Sequence, residues 1–193
     1  MTQIKICGLM TSADIQAVNQ AQPDLAGFIF AKGRHQLDLI TALKLRQELD
    51  SKIPSVGVFV NAPLAEMIAI FNSGAISMIQ LHGQESEQTV VALQKLHIPV
   101  INVFQPTGIP AETQADYLML DSGQGNGKLI DWSNLNIKHT QPLIIAGALN
   151  IQNIEQATQL SQPDIVDISR GVETNGQKDA RKIFEIVKLV HQL

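Results

Sequence analysis

Two side chains capable of proton transfer stand at the ends of short apolar runs in this chain. Cys7 closes Lys5-Ile6-Cys7-Gly8, and Asp121 follows Leu118-Met119-Leu120. A thiol becomes a general base once deprotonated, and a helix beginning at Thr11-Ser12 is expected to lower the Cys7 pKa. The alternative reading of Cys7 is a small buried hydrophobe, the usual state of a free cysteine. A carboxylate at the mouth of an apolar strand is partly desolvated, which raises its pKa and suits Asp121 to act as a general acid. Its alternative is an Asp that bonds the loop after it.

Other turns have the composition of anion sites. Gly147 precedes an expected helix start at Asn150, and Ser169-Arg170-Gly171 follows a second apolar run. Backbone N–H groups at such places approach a phosphate closely, so Gly147, Ala148, Ser169, Arg170 and Gly171 are candidate phosphate ligands. Gly123-Gln124-Gly125-Asn126-Gly127 is glycine-rich too, but alone it indicates only a flexible loop. His82, in Gln80-Leu81-His82-Gly83, is a substrate contact or a loop-bonded histidine. The five histidines show no metal-ligand spacing, so no metal site is expected. Trp132 reads as packing.

Reactive residues of this kind must be held by a scaffold, and the apolar pattern supplies one. Eight short runs rich in apolar residues read as strands: Ile4 to Cys7, Leu25 to Phe30, Ser55 to Val60, Met78 to Leu81, Val100 to Phe104, Tyr117 to Leu120, Leu143 to Ala146 and Ile165 to Ser169. Between them Ser12 to Ala21, Leu39 to Leu49, Leu64 to Ser73, Glu87 to Leu96, Ile151 to Leu160 and Asp179 to Val190 carry helical spacing. Thr11-Ser12, Asn61-Ala62-Pro63, Ser86 and Asn150 stand where helices should start. Residues 105 to 140 show no clear helix. Alternating strand and helix units predict an α/β fold, a single (β/α)8 TIM barrel over residues 1–193, with its site at the C-terminal strand ends. An open doubly-wound sheet is the competitor, but Cys7-Gly8-Leu9-Met10 lacks that fold's glycine signature.

Composition narrows the function. The net charge of −4 and the absence of basic blocks exclude an ordinary nucleic-acid footprint. One cysteine precludes an intrachain disulfide and fits a reducing, cytoplasmic setting. Neither a signal peptide nor a stretch approaching the roughly 20 apolar residues of a membrane span is evident.

Taken in order, Lys5-Ile6-Cys7-Gly8, Gly27-Phe28-Ile29-Phe30, Val56-Gly57-Val58-Phe59-Val60-Asn61, Gln80-Leu81-His82-Gly83, Leu120-Asp121-Ser122, Asp131-Trp132 and Asp167-Ile168-Ser169-Arg170-Gly171-Val172-Glu173 resemble the phosphoribosylanthranilate isomerases. The resemblance runs from residue 4 to about residue 185. It implies an Amadori rearrangement of a small phosphorylated substrate, with neither metal nor cofactor, in a monomer or homodimer. Cys7 matches the family's base and Asp121 its acid; Gln80, His82 and Asp167 match substrate contacts. Three positions depart from the family pattern. The arginine expected to hold the anthranilate carboxylate is shifted by one place to Arg34, with His35 as its rival. Ala148 replaces the second glycine of a pair, costing roughly 1 kcal/mol if that position needs positive φ. Arg170 replaces a serine. These departures keep a second reading open, a degenerate barrel that only binds a phosphorylated metabolite.

Overall fold

Side chains on a strand alternate between two faces, so a strand covered on both sides must be apolar at odd and even positions alike. The runs meet that condition at most positions, with polar exceptions such as Lys5, Gln80 and Asp167, and a computed structural model describing residues 1–105, 113–121 and 140–193 shows them as strands. They are β1 (Gln3–Cys7), β2 (Leu25–Ile29), β3 (Ser55–Phe59), β4 (Met78–Leu81), β5 (Val100–Phe104), β6 (Tyr117–Asp121), β7 (Leu143–Ala146) and β8 (Ile165–Ile168). All pair in parallel with their sequence neighbours, and β8 pairs with β1 to close the barrel.

Parity decides what each side chain does. Ile4, Ile6, Phe28, Ile79, Leu81, Leu118 and Leu120 point outward into the core shared with the helices. Leu25, Val56, Met78, Ile101, Met119, Ile144 and Ile165 point inward and fill the barrel. Each such side chain contributes about 1.5–3 kcal/mol by leaving water. Two residues further along the same strands, the inward positions are Gly27, Val58, Gln80, Val103, Asp121, Ala146 and Asp167. The alternation that packs the floor therefore aims the polar residues into the space above it.

Among the described residues, the helices are α1 (Ser12–Ala21), α2 (Leu39–Glu48), α3 (Leu64–Asn72), α4 (Glu87–Gln94), α5 (Ile154–Ser161) and α6 (Ala180–Val190). Thr11 and Asp14 form a capping box on α1, and Asp38 and Asp179 cap α2 and α6. One start differs from expectation. Asn150 does not open α5, which begins three residues beyond the predicted Ile151. The Asn153 side chain accepts from the Asn150 N–H at 2.8 Å and donates to the Ala148 carbonyl at 3.1 Å, holding 150–153 in a turn.

A second feature was not expected from the sequence. After β8 the chain forms a short 3-10 turn (Arg170–Val172) and a hairpin of β9 (Glu173–Thr174) and β10 (Gln177–Lys178). Asn175 and Gly176 turn it, both with positive φ, at 52° and 79°. The expected Gly123–Gly127 loop, Asp131-Trp132 and His139 lie outside the described residues.

Candidate active site

The inward residues at the strand ends line one open-mouthed cavity of about 200 Å³. Cys7, Gln80, His82, Asp121 and Asp167 form its polar wall, and Ile29, Val58 and Ala146 its apolar one. Gly147, Ala148, Ser169, Arg170 and Gly171 complete the side made by the loops after β7 and β8. All candidate residues except Arg34 and its rival His35 thus share one space.

Cys7 is buried on β1 in register with Gly27 of β2. A Cβ added at Gly27 would come within 2.6 Å of the Cys7 sulfur, so glycine there makes room for the thiol. Burial pushes the thiol above its ordinary range, and Lys5 pulls it back while Asp167 adds to the rise. This corrects the expectation that the α1 N-terminus lowers the pKa. The donors before that helix are taken by Asp14, whose carboxylate accepts from the N–H groups of Met10 at 2.7 Å and Thr11 at 3.1 Å.

Across the cavity, His82 Nε2 lies 3.2 Å from Asp121 Oδ2, and the Gln80 amide nitrogen lies 2.9 Å from His82 Nδ1. With the amide donating to Nδ1, the proton of a neutral ring sits on Nε2 and faces the carboxylate. Gln80 Oε1 is buried without a partner among the described residues. An acceptor so placed at the cavity wall suits a ligand hydroxyl.

The two phosphate-type loops touch through backbone. A Cβ at Gly171 would overlap the Leu149 carbonyl oxygen, so only glycine lets them meet this closely. Gly147 and Ala148 both have positive φ, 105° and 52°. The strain foreseen for Ala148 is therefore present. An L-residue there costs about 1–2 kcal/mol, against about 0.5–1 kcal/mol of extra chain entropy for glycine. Ala148→Gly is expected to gain about 0.5–1 kcal/mol in urea unfolding; a loss of stability would contradict this account of the turn.

Arg34 is placed differently. Its side chain is 55% exposed, lies off the cavity wall and pairs with Glu173 of β9. Glu173 also lies 2.9 Å from His35 Nε2 and 3.1 Å from Lys178 Nζ, tying the loop after β2 to the hairpin. Burial works against the Glu173 charge, but Lys178, His35 and Arg34 together hold its carboxyl below the ordinary value. Burial and Lys178 hold His35 below its own ordinary value despite Glu173. The His35 ring lies against Gly8, next to Cys7.

Sequence reasoning missed three buried charges near the site. Lys5 Nζ donates to Asp167 Oδ1 at 2.9 Å inside the barrel. Lys178 donates to the Ser169 carbonyl at 2.9 Å behind the phosphate-type loop, and Glu173 anchors it. Lys5 was findable, since it lies two residues before Cys7 on one strand and so shares its face. Among the described residues, no group of three or more His, Cys, Asp and Glu side chains gathers in the geometry of a metal site.

Comparison with known proteins bears on this geometry. The model of the N-(5'phosphoribosyl)anthranilate (PRA) isomerase family matches residues 4–189. The N-(5'-phosphoribosyl)anthranilate isomerase of Lacticaseibacillus casei is 52% identical over 189 residues, covering 97% of this chain and 94% of the relative. The crystal structure of the phosphoribosyl anthranilate isomerase from Thermus thermophilus superimposes with a TM-score of 0.88 at 26% identity, covering 99% of each chain. Another isomerase of this kind, crystallised with reduced 1-(o-carboxyphenylamino)-1-deoxyribulose 5-phosphate, superimposes with a TM-score of 0.84 at 25% identity over the whole of both chains.

Proposed function

This chain belongs to the N-(5'-phosphoribosyl)anthranilate isomerase family, and from that premise we propose how its own residues carry the reaction. The enzyme acts in tryptophan biosynthesis, converting N-(5'-phosphoribosyl)anthranilate to 1-(o-carboxyphenylamino)-1-deoxyribulose 5-phosphate. The rearrangement is an aldose–ketose isomerisation, an intramolecular oxidoreduction in which C1' is reduced and C2' oxidised.

Asp121 protonates the furanose ring oxygen, which breaks the C1'–O bond and leaves a Schiff base to nitrogen. Cys7, as thiolate, takes the C2' proton; the C–H electron pair forms the C1'–C2' double bond of an enolamine. Proton gain at C1' and loss from the C2' hydroxyl then give the ketone. The observation that carries this reading is the placing of Cys7 and Asp121 in one cavity, beside the loops after β7 and β8. Gly147, Ala148, Ser169, Arg170 and Gly171 hold the phosphate, where backbone N–H groups and the Arg170 guanidinium supply donors. Gln80, His82 and Asp167 contact the sugar.

For the anthranilate carboxylate we retain Arg34. It is a permanent cation already bound to a carboxylate, Glu173, whereas a His35 held below its ordinary value is neutral at pH 7. Arg34→Ala should raise KM roughly 10- to 100-fold, the worth of a charged hydrogen bond, with kcat within a few-fold. A larger rise in His35→Ala would transfer the role to His35.

The direct test is turnover by the purified chain in buffer without added metal, followed by chromatography of the product. Formation of the deoxyribulose phosphate is expected; binding of the reduced product analogue without turnover would support a barrel that only binds. The enzyme is assigned to the cytoplasm on its single cysteine, and to a monomer or homodimer as its family membership implies. Among the described residues no helix is long and apolar enough to cross a membrane.

A further inference from the structure

The reaction as described leaves the buried ammonium of Lys5 unused. Lys5 is fully buried, among the largest side chains in the molecule to be so. It lies two residues before Cys7 on β1, so both point into the barrel, and the register sets Lys5 beside Asp167 of β8. Its Nζ donates to Asp167 Oδ1 at 2.9 Å. Cys7 and Asp167 reach the cavity, and Lys5 is held beneath them, off the cavity wall. An ammonium, a carboxylate and the chain's only thiol therefore form one layer at the junction of the first and last strands.

Charge counting shows what this layer does. With Lys5, the group Lys5–Asp167–Cys7 passes from a net −1 as thiolate to 0 as thiol. Without it, the same step runs between −2 and −1 in a buried site, where an uncompensated ion is strongly disfavoured. We propose that Lys5, clamped by Asp167, is the positioning residue that supplies the counter-charge for the Cys7 thiolate in the base step. This role rests on the reading of Cys7 as the base.

The charges that face Cys7 agree with it. Burial first raises the thiol; then Lys5 on its own strand lowers it, Asp167 on β8 raises it, and Lys178 on β10 lowers it. His82 and Asp121, at the ends of β4 and β6, and Arg170, after β8, share the cavity. Burial also opposes the Lys5 charge, but Asp167 and Cys7 outweigh it and keep the ammonium above its ordinary value. Of its three N–H donors, Asp167 uses one, which leaves donors for sulfur.

Because Cys7 is the only cysteine, the ultraviolet absorbance of thiolate reports on it alone. The experiment titrates that signal, and the pH profile of kcat/KM, in the full chain and in three variants. Lys5→Met should raise the thiol midpoint by about one pH unit or more, a roughly tenfold loss of thiolate at fixed pH. The basic limb of kcat/KM should move with it. Lys5→Met/Asp167→Asn, which leaves no unpaired buried charge and the same net charge as the parent, should still raise the midpoint, though by less, because Lys5 acts on the thiol more strongly than Asp167 does. Asp167→Asn alone frees Lys5 from its carboxylate and should lower it. Opposite shifts are not expected of an ion pair that only joins β1 to β8. An unchanged midpoint in folded Lys5→Met or in the double variant would overturn the proposal. If neither folds, Asp167→Asn decides, and an unchanged or raised midpoint overturns it. If the thiol midpoint moves as expected while the kcat/KM profile stays fixed, the error is in Cys7 as the base, and the role of Lys5 in turnover falls with it.

Discussion

Asp121→Asn is expected to lower kcat by about 10²- to 10⁴-fold while KM changes only a few-fold. Asparagine keeps the shape of the side chain and an oxygen for His82, which lies 3.2 Å from the carboxylate. It has no acidic proton to deliver. Ring opening must then place developing negative charge on the furanose oxygen without an acid, and the loss corresponds to about 3–5 kcal/mol of transition-state stabilisation. Since binding contacts come largely from other residues, the ground state should be nearly unaffected. The check is steady-state kinetics at several pH values; a variant within tenfold of the parent would remove Asp121 from the acid role.

Cys7→Ser should produce a loss of the same order, for a different reason. The hydroxyl fits the space that Gly27 leaves for sulfur, where a Cβ on residue 27 would come within 2.6 Å. Structure is therefore expected to survive. What is lost is basicity, because a serine hydroxyl yields far less anion near neutral pH than a thiol whose ordinary pKa is about 8.5. In the parent, burial holds the thiol up and Lys5 offsets part of that rise, so the base form grows as pH rises. The rate of the parent should climb on the alkaline side through the thiol's raised pKa, and that limb should vanish in Cys7→Ser. An alkaline limb retained in the variant would assign it to another group.

How far the sequence foretold this site follows from which information is local. The strands were legible because β-branched and apolar residues repeat within five or six positions, and Cys7 and Asp121 stood out because each ends such a run. The (β/α)8 closure followed from the alternation of strand and helix, and β8 does pair with β1. The environment of Cys7 was not legible, since the carboxylate that pairs with Lys5 comes from Asp167, at the other end of the chain. For the same reason the clasp of Glu173 on Arg34, His35 and Lys178 had no local signature. The β9–β10 hairpin had one in Asn175-Gly176, but strands of two residues are too short to show alternation. Asn150 has the residue type of a helix cap, whereas the turn it occupies depends on hydrogen bonds between Asn150, Asn153 and Ala148.

We propose that Cys7 and Asp121 act on one sugar from two sides of a single cavity, with its phosphate in the loops after β7 and β8. A crystal structure of this chain with the reduced product analogue tests it most directly. The phosphate is expected against Gly147, Ala148 and Ser169 to Gly171, the Cys7 sulfur about 3.5 Å from C2', and Asp121 within hydrogen-bond reach of the oxygen that closed the ring. An analogue bound with its phosphate elsewhere, or with C2' turned away from Cys7, would contradict it.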